Sequence, residues 1–534
     1  MIAGSEGKSM KQQKIDIGLI DKVRDVLGNL ILESKGKLKG CSYVDLRVRV
    51  SEGQQAVAQD GMMKFSLRDY KLAYGVRIIA GGGLLAPGYF AETLGAADAG
   101  SLPDIVRSGL HQAYERAVAS SKVKTEKRDL WEDLGHSLHS SELAPIKACQ
   151  DTIRAVFKTS PLAVSLGEVS KLAQEVSKAV ASHDSRVKMN QLIVDTSLIR
   201  EFFASSEGAN IDRTYALTQG LSWIAAVGNS GSQQAHYDCI GHQRGWEILT
   251  DGIDEEPIKL KPLQQFALDL AGDCVSLSEA RPCPSSGKEV VVITDPHYNT
   301  LLAHEIIGHP TELDRGLKLE TAYAGRSWFL RSLDQNMLGK QVASDLVSTY
   351  SDPSLPGYGH YEYDDEGTPA KKVIHIDKGV FRGFMNSRQT AAILKVSPNG
   401  HLKAIDASYV PLIRMSTTVF GKGESDPRKM VKEVDQGYYL SSHRIPSISE
   451  SRENFRITAR KVFEIKNGTL GEMFRDGGMM ANSKDYLMSV DAVGNDFRVY
   501  PVFNCGKGQP MQAKRLGNGG PTMRGRARLV GGKG

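Results

Sequence analysis

The sequence predicts an α+β protein, with an N-terminal mixed sheet-and-helix region followed by a β-rich C-terminal domain that carries an HExxxH pattern on a helix. Three observations predict it. Near the start, apolar residues at helical spacing give way to runs that alternate apolar and charged residues with the period of a strand. From residue 101 to 184 the composition shifts to Ala, Lys, Glu and Ser with breaks at Pro145 and Pro161, the mark of several helical segments. Beyond residue 285, short β-branched runs and Gly-containing turn signals dominate.

Over residues 15–32, Ile17, Ile20, Val23, Val26, Leu27 and Leu30 recur at helical spacing, so the chain opens with an amphipathic helix. Residues 44–50 alternate apolar and charged side chains, which predicts a strand with one wet face. Residues 74–80 predict another, ending at Gly81-Gly82-Gly83. With no Lys-Ser/Thr behind them and no helix start, these glycines read as a turn rather than a phosphate cradle. The helical segment of about 101–190 joins this sheet region to a second one, signalled by strand-like runs at 191–195 and 222–227.

A helix-like run at 263–270 follows Pro262. The segment Pro282-Cys283-Pro284-Ser285-Ser286-Gly287 then marks the expected boundary between domains 1–285 and 286–534. Past it, residues 289–294 form a β-branched strand that feeds a helix through Asp295 as N-cap and Pro296 as first helical residue. Hairpins are expected around Asp377-Lys378-Gly379 and Asn467-Gly468. From Gly517 onward a Gly/Arg-rich tail, with Arg524, Arg526, Arg528 and Lys533, is expected to be mobile and solvated rather than a nucleic-acid contact.

A chain of 534 residues with 40% hydrophobic and 24% charged content can bury a large core. Its formal net charge of +5 calls for no nucleic-acid or membrane partner. Residues 1–9 lack the apolar core of a signal peptide and no run of eighteen apolar residues occurs, so a cytoplasmic protein is expected. The six cysteines form no CxxC pair and are expected to be mostly reduced, buried thiols.

The helix after Pro296 contains His304-Glu305-Ile306-Ile307-Gly308-His309, one residue longer than the common HExxH. In a regular helix a five-residue step leaves the second side chain about 140° from the first, so the two imidazoles would point apart. Gly308, which permits unusual backbone angles, and Pro310, which disfavours α geometry at His309, allow a π-type widening or a last-turn break that would turn both rings to one metal. Zinc suits two neutral imidazoles and an open position, and Glu305 stands where a general base is needed. The helix is otherwise apolar, so burying two histidines and a glutamate without partners would be costly. For the third ligand the residues leave Cys505, beside Lys507, with Glu312 and Asp314 as local rivals.

These motifs carry a resemblance. The HExxxH with Glu312 and Asp314 behind it, Asp364-Asp365-Glu366-Gly367-Thr368-Pro369, Gly383-Phe384-Met385, Arg414-Met415, Cys505-Gly506-Lys507 and Gly520-Pro521-Thr522 occur in the order seen in the TldD/PmbA (TldD/TldE) peptidase family. The chain resembles the TldD type over most of its length, because it keeps the metal motif that the partner type lacks.

The resemblance implies a zinc metallopeptidase in which His304, His309 and Cys505 bind the metal and Glu305 activates water. It implies cleavage of small or unfolded peptides held extended in an enclosed chamber, with Arg414 and Asp365 as candidate substrate contacts. It also implies a homodimer, or a heterodimer with a PmbA/TldE-like subunit. Where the family often reads Arg-Met-Thr-Asn this chain has Arg414-Met415-Ser416-Thr417.

Other signals are weaker. Asp364-Asp365-Glu366 reads as a solvated turn before it reads as a second cation site. His236, Asp238, Cys239 and His242 have ligand chemistry, but glycine-bordered strand ends commonly gather such residues by chance. The reading from a different class is a noncatalytic modulator or binding subunit of a larger complex, which has no need of Glu305 beside two metal-grade histidines.

Overall fold

The computed structural model describes residues 16–133, 140–333 and 335–532 of the chain. In chain order, α1 (Leu19–Lys37) leads to β1 (Cys41–Gln59), β2 (Met62–Ala80), β3 (Ala86–Leu94), α2 (Leu102–Glu126), β4 (Gln150–Ile153), β5 (Val187–Ser205), β6 (Asn210–Val227) and β7 (Gln233–His242). The strands form one sheet in the order β3-β2-β1-β5-β6-β4, with β7 also on β6. Only β4 runs parallel to its neighbour, β6.

Of the predicted stripe of α1, Ile20, Val23 and Leu27 are buried while Val26 is exposed and Ile31, outside the stripe, is buried; α2 buries Leu102, Val106, Leu110 and Ala113. Both pack on Leu46, Val48, Leu72 and Val76 of the sheet. Ile15 of the predicted helix lies outside the described residues. Helices Leu166–Ala181 and Leu263–Glu279 cover a second core with Ala56, Leu192, Val194 and Ile224.

One expectation about this sheet fails. Asp45 and Arg47, placed by alternation on a wet face, are 2% and 6% exposed. Their face is covered by the C-terminal half. Arg77 donates to Asp45 at 2.9 Å and to Glu366 at 2.8 Å, and Arg47 donates to Asp365 at 3.2 Å. Alternation reports which residues share a face, not what later covers it.

The same contacts correct the reading of Asp364-Asp365-Glu366 as a solvated turn. Asp364 and Glu366 are buried. Asp364 accepts from the backbone N–H groups of Glu366, Thr368 and Leu402, while Asp365 accepts from Lys403, Arg47 and the N–H of Ala404. Buried carboxylates persist only when paired, and here local N–H groups and Lys403 are joined by Arg47 and Arg77, 318 and 289 positions away.

The C-terminal half is mainly β. Among the described residues, strand Glu289–Thr294 lies between Gln436–Ile448 and Met523–Val530. Gly478–Asn482 pairs with both Met523–Val530 and Asn454–Lys466, so these five strands close into a ring. A six-stranded sheet sets Thr417–Phe420 beside Gln512–Gly520, which pairs in turn with the edge strand Arg498–Lys507. Both predicted hairpins form, pairing Asp377 with Val380 and Lys466 with Thr469.

The tail is not mobile. Residues 517–520 complete strand Gln512–Gly520, and Met523–Val530 pairs along the whole of Glu289–Thr294. Met523, Gly525, Ala527 and Leu529 point inward, while Arg526 and Arg528 face solvent. This period of two was present in the sequence, and the glycine and arginine content masked it. Lys533 lies outside the described residues.

Candidate metal centre

The site begins at the end of strand Glu289–Thr294. Asp295 caps the following helix by accepting from the N–H of Tyr298 at 2.6 Å, and Pro296 takes the first helical position. The helix is α over Pro296–Leu302, then π over Ala303–Gly308, and closes with a 3₁₀ turn over His309–Thr311 that contains Pro310. In the π turn the His309 N–H donates to the His304 carbonyl, five residues back. Five residues is the spacing of the two histidines, so the widened turn brings onto one side the rings that an α-helix would hold apart. Their centroids are 4.7 Å apart at 89°.

Gly308 contributes differently from the expectation of unusual backbone angles. Its φ of −58° and ψ of −64° are open to any residue. What it supplies is space: a Cβ there would sit 2.0 Å from Met415 Sδ.

Cys505 arrives from strand Arg498–Lys507, where a register shift between Val502 and Cys505 marks a bulge that can re-aim a side chain. One ligand atom from each of His304, His309 and Cys505 lies within 4.8 Å of the others, and all three residues are buried. Cys505 Sγ is 3.5 Å from His309 Nε2. Ligands on a tetrahedral zinc, with bonds of about 2.0–2.3 Å, stand roughly 3.3–3.6 Å apart, so this spacing fits a shared ion.

The other ring nitrogens are already engaged: His304 Nδ1 lies 2.9 Å from Asn518 Oδ1 and His309 Nδ1 lies 2.9 Å from Glu312 Oε2. Such partners fix the tautomer and leave each Nε2 free to bind a metal. Burial pushes the Cys505 thiol up, but His309 and His304 outweigh it and hold it well below its ordinary value. Burial pushes His304 down, yet Cys505 raises it to about 9. A buried thiolate facing two imidazoles is a donor set that one divalent cation satisfies.

Glu305 is 7% exposed and lines a cleft of about 950 Å³ shared with Thr300, Leu301, His304, His443 and Arg460. Arg452 Nη1 donates to its Oε2. Burial pushes the Glu305 carboxyl up, while Arg452, then His304 and His309, bring it below its usual value, so it stays ionised. Arg452 is itself held by the carbonyls of Ala324 and Tyr323, each at 3.2 Å, from a turn where its φ is +61°.

The two local rivals for the metal are paired with cations, Glu312 through Oε2 alone. Glu312 accepts from Arg315 Nε at 2.9 Å and Lys507 Nζ at 3.1 Å, and Asp314 accepts from Lys507 Nζ at 2.7 Å. Arg414 is fully buried and donates to the carbonyls of Cys505 and Gln512, so it braces the strand that carries Cys505. Asp365 is engaged by Lys403 and Arg47. His236, Asp238, Cys239 and His242 do not converge. Among the described residues, His304, His309 and Cys505 are the one group of three or more that could hold an ion.

Sequence reasoning missed Arg452 and Asn518. Both lie more than a hundred residues from the groups they touch, and no local pattern marks them.

Residues 286–531 match the family model of the PmbA/TldA metallopeptidase C-terminal domain. The chain is 30% identical over 374 residues, 70% of its length and 76% of the relative's, to a metalloprotease of Methanothermobacter thermautotrophicus. It is 28% identical over 251 residues, 47% of its length and 53% of the relative's, to a zinc metalloprotease TldD homolog of Saccharolobus solfataricus. Its fold is similar to that of TldE from Thermococcus kodakarensis, with a TM-score of 0.66 at 16% identity over 94% of this chain and 99% of the other.

Proposed function

The chain belongs to the TldD/PmbA family of metallopeptidases, and on that premise we propose that it is a zinc-dependent peptidase of the TldD type. His304, His309 and Cys505 would hold the zinc and Glu305 would act as general base. The observation that carries the reading is the convergence of one ligand atom each from His304, His309 and Cys505 beside a carboxylate kept ionised by Arg452.

Bound there, zinc supplies Lewis acidity, which polarises a carbonyl and makes water acidic near neutral pH. The chain's own residues do the rest. Asn518 and Glu312 orient the two imidazoles, and Arg414 fixes the backbone of Cys505. Glu305 accepts a proton from the attacking water through one oxygen while the other is tied to Arg452, and later passes the proton to the leaving amine. Arg498–Lys507 is an edge strand bearing Cys505, which supports a substrate held extended by strand addition, with loose sequence demands.

Substrates on this reading are small or unfolded peptides, taken in a chamber closed by a second copy or by a TldE-like subunit. No helix among the described residues is long and apolar enough to cross a membrane. The test is Glu305→Ala: it is expected to retain zinc and lose peptide cleavage. Cleavage at the wild-type rate would favour the noncatalytic module instead.

A further inference from the structure

Where the N-terminal sheet meets strand Gln512–Gly520 there is a second cleft of about 590 Å³, walled by Arg49, Arg213, Lys403, Lys514 and Arg515 around Tyr361. It shares no lining residue with the cleft beside His304. Four of its five cations have a carboxylate at hand. Glu201 lies 3.6 Å from Arg49, Glu362 lies 3.1 Å from Arg213, Asp195 lies 2.9 Å from Arg515, and Asp365 pairs with Lys403.

Lys514 is the exception. Among the described residues no carboxylate lies within ion-pair distance of it, and its Nζ donates to the Met415 carbonyl at 3.2 Å. Lys514 is only partly buried and its Nζ also faces the Tyr361 ring, 5.3 Å from the centroid, so the ammonium is open to the cleft. Arg49 Nε is also sealed from solvent without an acceptor. Arg414, behind the cleft, likewise finds only carbonyls for its terminal nitrogens, and its Nε has no acceptor. An unmatched buried donor such as Arg49 Nε is costly, and an oxyanion in the cleft would also give Lys514 the counter-charge it lacks.

We propose that this cleft binds a small oxyanion, a carboxylate or a phosphate, held by Lys514 and Arg49. Lys514 stands directly opposite Cys505 in the register of the two strands. The anion would therefore lie one strand away from the proposed metal ligand. If the peptidase reading holds, the carboxyl end of a short peptide is one source of that anion, and free inorganic phosphate is the other.

The test reads the melting temperature of the full chain, purified with its metal, against inorganic phosphate at an ionic strength held constant with chloride. The wild type is expected to show a saturable rise of about 2–4 °C. Lys514→Met should lose the rise and Lys514→Arg should keep most of it. Removing a cation that has no counter-ion should leave the melting temperature in chloride at or above the wild-type value, and Lys514→Gln provides a second removal should the methionine variant fold poorly.

To separate the sources, a short peptide with a free carboxyl end and its amidated twin are compared in the Glu305→Ala background. Protection by the free-acid peptide alone assigns the peptide terminus, and protection by phosphate alone assigns the free anion. The phosphate arm does not depend on hydrolysis and survives failure of the peptidase reading. Equal phosphate protection of wild type and the Lys514 removal variants, or no protection by either probe, overturns the proposal.

Discussion

The guanidinium of Arg452 closes on the carboxylate of Glu305, 147 residues earlier in the chain, and is locked there by two backbone carbonyls. An anion buried next to two imidazoles needs such a partner to stay charged without drifting onto the metal ligands. The pair thus links the turn at residue 452 to the proposed chemistry at residue 305.

Arg452→Gln is expected to keep zinc stoichiometry but to lower kcat/KM by about 100-fold, because Glu305 loses the contact that aims it. Metal analysis and peptide-cleavage kinetics on the same preparation check this. Wild-type kcat/KM in the variant would mean that Glu305 is aimed by something else.

Cys505→Ser should markedly lower the zinc content of the purified protein. Asn518→Leu, which leaves all three ligands in place but frees the His304 ring, should weaken zinc binding about 10–100-fold in a chelator competition. Full zinc occupancy in Cys505→Ser would return Glu312 or Asp314 to consideration, at the cost of their pairing with Lys507.

Lys507 is fully buried and joins Glu312 to Asp314. Lys507→Met leaves Asp314 without its ion-pair partner and Glu312 with Arg315 alone, and is expected to cost about 3–5 kcal/mol. Urea unfolding midpoints measure it. A loss under about 1 kcal/mol would show that the two carboxylates share a proton at little cost.

Stability should fall on mild acidification. Burial pulls His236, His242 and His401 down to about 3 and His375 to about 4, from an ordinary value of 6.5. Below pH 6.5 the unfolded chain therefore binds protons that the folded chain refuses. The stabilisation is complete above 6.5 and is lost as pH falls toward 4, at about 1 kcal/mol per histidine between pH 6.5 and 5.5. Melting temperatures measured from pH 7.5 to 5 test the slope, and a flat profile over that span contradicts it.

Much of the local structure was legible because it is set by neighbours in the chain. Asp295-Pro296 fixes the start of the helix that carries His304, Asn467-Gly468 fixes a hairpin, and the extra residue between His304 and His309 already pointed to a widened turn or a last-turn break. The errors arose where covering layers decide. Asp45 and Arg47 alternate like a solvated face and are buried by the other half of the molecule. Arg524, Arg526 and Arg528 look like a basic tail and instead alternate along a central strand.

By itself, the sequence determined which residues could bind and activate: two imidazoles, a carboxylate and a thiol of matching chemistry, with a break in the helix to accommodate them. Only the tertiary structure decided that Cys505 meets the histidines, that Lys507 occupies Glu312 and Asp314, and that Arg452 holds Glu305. Chemistry is a property of the residue and is written locally. Partnership depends on which strands pair across two hundred residues, and hydrophobic burial that is indifferent to the identity of the charged side chains sets that pairing.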